Sequence, residues 1–182
     1  MNFKFHLALV ALVASVPTFA AVFDQELLHL ELIPPCGNME DLIPLLRAFS
    51  STNTDHFYTA SDVESQQFRH NYIYIEEGTT GYLFPSHVAG TIPLYRLWNS
   101  KDFDHFYTSN ATEQKVALSE GYVTENTVGF IYPDSRCGGL PLYRLYNNAL
   151  KDHLYTLSKV ERDKAIKDQK YILERSPGYL VF

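Results

Sequence analysis

Apolar and polar positions along this chain recur in blocks, and the blocks follow one another in a fixed order. The stretch IPLYRLWN (92–99) alternates two sets, Leu94/Arg96/Trp98 and Tyr95/Leu97/Asn99. It is rich in aromatics and has its proline at the start, which predicts a strand. A short polar turn leads to FDHFYT (103–108), a second, shorter strand. Asn110 followed three places on by Glu113 is a capping-box signature and opens a helix of about ten residues. A segment with Tyr122 and Glu125, then GFIYP (129–133), reads as two further strands. The predicted unit is β-β-α-β-β.

This unit occurs three times. Its openings are IPLLRAFS (43–50), IPLYRLWN (92–99) and LPLYRLYN (140–147), followed by TDHFYT (54–59), FDHFYT (103–108) and KDHLYT (151–156). Ser61/Glu64, Asn110/Glu113 and Ser158/Glu161 open the helices. Tyr72, Tyr122 and Tyr171 align next, then Glu76, Glu125 and Glu174, and the copies close on GYLFP, GFIYP and GYLVF. The copies span 43–91, 92–139 and 140–182, with periods of 49 and 48 residues. Units this short cannot each bury a core, so they must share one. An open solenoid needs atypical capping repeats, whereas the third copy runs to Phe182 on a full motif. The expectation is an α+β, mainly β fold, three units in a closed, pseudo-threefold, propeller-like arrangement forming a single domain over 43–182.

The remaining chain is different in character. Lys4, the apolar run Leu7–Val16 and the small residues up to Ala20 form a signal-peptide pattern over 1–20. Its apolar run is about half the ~20 residues that a spanning helix requires, so secretion is expected and membrane attachment is not. Residues 21–42 form an extension in which LLHLELI (27–33) offers one edge strand. An oxidising compartment favours pairing of the two cysteines, Cys36 and Cys137.

Composition narrows the partners. The 182 residues are 46% hydrophobic, 14% aromatic and 20% charged, a globular profile with a net charge of −6. Removal of residues 1–20 takes away one lysine and leaves −7. No basic stripe is present, so nucleic acid is not an expected partner.

The PLYRLYN…DHFYT…GY signature resembles that of a family of secreted fungal and bacterial repeats of unknown function, in some cases appended to secreted hydrolases. The resemblance covers residues 43–182 and implies a secreted accessory or binding module. Copy 1 departs from it at Leu46 and Ala48, and copy 3 at Leu154, so three potential sites need not be equivalent.

The repeated polar residues admit more than one role. The pairs Asp55/His56, Asp104/His105 and Asp152/His153 suggest imidazoles around a zinc ion, each oriented by a carboxylate. Neighbours on a strand point to opposite faces, however, so Asp and His of one pair cannot both face a common axis. The alternatives are a structural role, with Asp accepting turn N–H groups, or ligand contact; no metal and no cofactor is expected. Arg47, Arg96 and Arg144 share a strand face with Phe49, Trp98 and Tyr146. An arginine fork beside an aromatic plane suits a sugar subsite; equally, each Arg could be a buried strut to a repeated acid. Glu64, Glu113 and Glu161 are accounted for by capping. Paired carboxylates can hydrolyse glycosides, but a threefold-repeated acid argues poorly for one asymmetric active site. No other catalytic motif is present, so no enzyme is expected. Asn110-Ala111-Thr112 is a glycosylation sequon on a predicted N-cap. The expected function is a secreted, non-catalytic binding module, carbohydrate-binding and lectin-like, for a glycan or cell-wall polysaccharide. The alternative is a secreted protein-interaction, defence or inhibitor protein.

Overall fold

The computed structural model describes residues 36–182; the signal pattern and the edge strand expected at 27–33 lie outside the described residues. Among the described residues the fold is mainly β, with three short α-helices and several small sheets, and no closed barrel. The first copy contributes β1 (Ile43–Ser50), β2 (Asp55–Thr59), α1 (Asp62–Asn71) and β3 (Ile75–Leu83). The second contributes β4 (Ile92–Asn99), β5 (Asp104–Thr108), α2 (Ala111–Ser119) and β6 (Val123–Ile131). The third contributes β7 (Leu140–Pro141), β8 (Tyr143–Asn147), β9 (Asp152–Thr156), α3 (Lys159–Gln169), β10 (Ile172–Leu173) and β11 (Tyr179–Leu180).

The opening strand of each copy, split into β7 and β8 in copy 3, lies between its partners: β2-β1-β3, β5-β4-β6 and β10-β8-β9, all antiparallel, with β11 beside β7. The two closing strands expected in each copy are one continuous strand in copies 1 and 2. It bends at two register shifts that flank the repeated arginine: Leu45/Leu46 and Arg47/Ala48, then Leu94/Tyr95 and Arg96/Leu97. Bulges absorb an extra residue without ending the ladder. In copy 3 the strand does break, between Leu173 and Tyr179, where Pro177 supplies no N–H to pair.

The main core is assembled equally from all copies. Leu45, Leu94 and Leu142 from the opening strands join Tyr58, Tyr107 and Tyr155 and the closing residues Leu83, Ile131 and Leu180 in one buried cluster. Each helix covers a smaller cluster of its own copy and buries one residue fully, Ser65, Ala117 or Ala165. The glycine before each closing aromatic is required by the neighbouring copy. A Cβ on Gly129 would lie 2.4 Å from Leu83 and 2.8 Å from the Phe84 carbonyl, and one on Gly178 would lie 2.6 Å from the Tyr132 carbonyl. Gly81 is crowded in the same way, by Leu157 at 2.8 Å and the Val181 carbonyl at 3.0 Å. Backbone pairs at these points, Phe84 with Phe130, Tyr132 with Tyr179 and Tyr82 with Val181, link each copy to the next. Cys36 and Cys137 are bonded, with Cα atoms 5.5 Å apart, and tie the start of the described chain to the link between copies 2 and 3.

Candidate functional site

The repeated polar side chains sit at the junctions between copies, and the short DHFYT strands place them there. Tyr58 Oη accepts from the Tyr155 N–H at 2.8 Å and donates to the Tyr155 carbonyl at 2.8 Å. Tyr155 does the same to Tyr107, and Tyr107 to Tyr58, at 2.7 to 3.0 Å. The chain of bonds thus returns to its origin, with the rings edge-on at 5.2 to 5.4 Å. Burial pushes all three hydroxyls well above the ordinary phenol value.

Asp55, Asp104 and Asp152 are fully buried, and carboxylate oxygens from the three lie within 4.8 Å of one another. Each carboxylate serves the next copy. Asp55 accepts from the His105 backbone N–H at 2.8 Å and faces its Nδ1 at 2.6 Å; Asp104 and His153 repeat this at 3.0 and 2.7 Å, and Asp152 and His56 at 2.9 and 2.7 Å. A tyrosine hydroxyl from the same copy, Tyr74, Tyr122 or Tyr171, donates to the same oxygen as the imidazole. The acids, not the imidazoles, are therefore what the copies gather, and their oxygens are already occupied by donors. Around His153, burial opposes the charged ring, but Asp104 and Glu174 outweigh it and raise its pKa to about 9.

The arginines are struts. Arg96 and Arg144 are 3% and 4% exposed, and Arg47 is half-buried. Each links two carboxylates: Arg47 to Glu77 and Glu161 (2.9 and 2.9 Å), Arg96 to Glu125 and Glu64 (2.7 and 2.7 Å), Arg144 to Glu174 and Glu113 (2.8 and 2.6 Å). In every case one acid comes from the preceding copy's helix, the third helix reaching the first copy's arginine. Burial would raise Glu64, Glu113 and Glu161, but hydrogen bonds from these arginines and from Thr59, Thr108 and Thr156 hold them below the ordinary carboxylate range.

These contacts revise three sequence assignments. The helices are capped as expected by Ser61, Asn110 and Ser158, but Glu64, Glu113 and Glu161 do not complete a capping box. The cap residue's N–H donates instead to the Thr hydroxyl of DHFYT or DHLYT, at 3.0 Å each time, which releases the glutamate for arginine. In copy 1 the equivalent tyrosine is Tyr74, not Tyr72, and the equivalent acid is Glu77, not Glu76. Tyr72 is 58% exposed, and Glu76 pairs with Arg69 of its own copy's helix. The true recurrence is Tyr-x-x-Glu, visible at 74–77, 122–125 and 171–174.

What faces outward is the aromatic two places beyond each arginine. Phe49, Trp98 and Tyr146 stand opposite His56, His105 and His153 across the strand pair, with ring centroids 4.5, 4.4 and 4.5 Å apart. Beside Trp98 opens a pocket of ≈ 250 Å³ lined by Phe68, Tyr72, Phe103, His105, Glu125 and Asn53. Beside Tyr146 opens one of ≈ 340 Å³ that includes Asn99, Asp102, Glu120, Tyr122 and His153. Asn110 is exposed; its Oδ1 accepts from Thr112 and Glu113 as the helix cap, and its Nδ2 takes no part in that cap. Among the described residues no helix is long and apolar enough to cross a membrane.

The family described as "Domain of unknown function (DUF5648)" matches residues 44–181, and the chain belongs to it. No curated protein and no solved structure matches the chain.

Proposed function

We propose that this protein is a secreted, non-catalytic carbohydrate-binding module whose ligand sites lie in the pockets between adjacent copies. The observation that carries the reading is the half-buried aromatic held over a histidine at each junction, with a concave pocket beside it at Trp98 and at Tyr146. A sugar presents an apolar face that stacks on such a ring and hydroxyls that meet polar groups at its rim. At Trp98 those groups are Asn53 and Glu125, with Phe103 edge-on to the indole at 6.0 Å. The arginines contribute by fixing the strand rather than by touching ligand, since their forks are already filled by carboxylates.

The cyclic contacts support a closed, pseudo-threefold, propeller-like arrangement of one domain over 43–182. Weak sites on one rigid body then gain avidity on a polymeric glycan or cell wall. The signal pattern and the disulfide support secretion, and a glycan on Asn110 Nδ2 is compatible with the helix cap. Glu77, Glu125 and Glu174 each hold an arginine, which argues against their use as acid or base on a substrate.

A second reading, as a secreted protein-interaction, defence or inhibitor protein, draws on the exposed apolar side chains near the first pocket: Tyr72, Ile73, Ile75 and Phe103, at 58%, 72%, 65% and 46% exposure. A glycan-array screen of the oxidised protein separates the two. Carbohydrate binding predicts reproducible glycan hits, a change in Trp98 fluorescence with ligand, and loss of the hits taken by the first pocket in a folded Trp98→Ala variant. A blank array, or glycan binding that neither Trp98→Ala nor Tyr146→Ala reduces, overturns the proposal as stated and directs attention to a protein partner.

A further inference from the structure

The two junction pockets occupy equivalent places but are lined for different ligands. Resting on the carbohydrate reading above, we propose that the pocket beside Tyr146 binds a protonated amino sugar, whereas the pocket beside Trp98 takes a neutral one.

Position by position, the second pocket exchanges apolar or neutral groups for acids. Thr54 and Phe103 both have positive φ (55° and 54°) in the turn before DHFYT, so Asn53 of the first pocket corresponds to Asp102 of the second. Counting back two from the tyrosine that bonds Asp55 or Asp104, Tyr72 corresponds to Glu120. Phe68, whose carbonyl accepts from Tyr74 N–H, corresponds to Ala117, whose carbonyl accepts from Tyr122 N–H. Trp98 itself becomes Tyr146. The first pocket is thus a mostly aromatic cleft, with His105 and Glu125 as its ionisable groups apart from two tyrosines.

Charge around the second pocket is unbalanced. The ionisable groups facing it are Asp102, Glu113, Glu120, Glu174, Arg144, His153 and the phenols of Tyr122 and Tyr146. Glu113 and Glu174 clamp Arg144, and His153 lies between Asp104 and Glu174. Asp102 has only the Asn99 amide, at 3.5 Å, as a side-chain partner for its carboxylate. Glu120 is exposed and forms no ion pair among the described residues. Lys151, which corresponds to Phe103, turns its amine to Asn148 at 3.1 Å and does not line the pocket. The Tyr146 hydroxyl reports the same field: burial first, then Asp104, Asp102, Glu174 and Glu120 raise its pKa. A pocket with an aromatic face and two carboxylates lacking a cation suits a ligand that carries both a pyranose ring and an ammonium group. The ring stacks on Tyr146, and the ammonium lies between Asp102 and Glu120 as a charge-assisted donor.

The test is a residue-resolved NMR titration of the oxidised protein at slightly acidic pH with glucosamine, N-acetylglucosamine and glucose. It is repeated on the double variant Asp102→Asn/Glu120→Gln and on Tyr146→Ala. The expected result is that glucosamine shifts resonances of Val116–Glu120 and Tyr146 with an affinity about tenfold above that of the two neutral sugars, equivalent to ~1.4 kcal/mol. The double variant keeps its dispersed spectrum and loses that preference, while responses around Trp98 are unchanged. Equal affinity for the three sugars at Tyr146, or a preference that survives in the double variant, overturns the assignment. Neutral sugars shifting only the Trp98 pocket, with no amino sugar at Tyr146, also overturn it but leave the carbohydrate reading standing. Silence at both pockets for every sugar brings down both together.

Discussion

Where the copies meet, the side chains repeat almost without change; in the pockets just outside, they do not. Inside, Tyr58/Tyr107/Tyr155, Asp55/Asp104/Asp152 and Arg47/Arg96/Arg144 each make the same bond to the neighbouring copy. Outside, Asn53 and Tyr72 give way to Asp102 and Glu120, and Trp98 to Tyr146. Identity across all copies therefore marks what holds them together, and variation marks the surfaces that are free to recognise something. A residue kept three times in a chain of this kind is first a candidate for assembly.

The sharpest way to break the contrast is to remove one buried acid. Asp55→Ala leaves the buried His105 ring, its backbone N–H and the Tyr74 hydroxyl without their acceptor. A buried donor left without an acceptor costs about 1–3 kcal/mol, so orphaning three of them costs several kcal/mol, a large part of a typical domain's stability. Urea denaturation should show a fall of that order. A change below 1 kcal/mol would mean that the buried network is incidental to assembly.

Much of this network was legible in the sequence, and its limits have physical causes. The Arg-x-aromatic alternation placed Arg96 and Trp98 on one face, and the Ser/Asn-x-x-Glu signature located three helices that begin at Asp62, Ala111 and Lys159. Which face pointed inward could not be read locally. It depends on contacts between copies, where Glu64 reaches Arg96 across 32 residues of sequence. The capping-box reading of Glu64 failed because Thr59, two residues before the cap, already satisfies the cap N–H; a Thr two places before every cap was the available signal. Tyr72 was mistaken for Tyr74 because copy 1 carries tyrosine at both positions, and only the bond to Asp55 separates them. The two closing strands merge because bulges let one strand turn where alternation alone suggests a gap.

A smaller effect follows from the His153 charge. Its folded pKa of about 9 lies above the ordinary value of about 6.5. The protonated ring therefore stabilises the fold fully below about pH 6.5, and that contribution is lost as pH rises through about 9. Thermal melts between pH 6 and pH 9.5 should show the melting temperature declining with pH. His153→Gln, which cannot titrate there, should flatten the decline attributable to this position. An unchanged slope would mean that the ring is neutral between Asp104 and Glu174, and that the junction is held by neutral hydrogen bonds.

The smallest effect is expected at the pocket, where it completes the comparison. Asp102→Asn/Glu120→Gln removes two carboxylates, one half-buried with a single long contact to Asn99 and one exposed. Neither joins a strut between copies. Surface substitutions away from such features change stability by no more than about 0.5 kcal/mol, and removing like charges from one pocket relieves repulsion. Urea denaturation of this double variant should fall within that range of the parent, against the several kcal/mol expected for Asp55→Ala. A loss comparable to Asp55→Ala would place Asp102 and Glu120 among the residues that hold the copies together, and the division between a repeated interior and a variable, recognising exterior would no longer describe this junction.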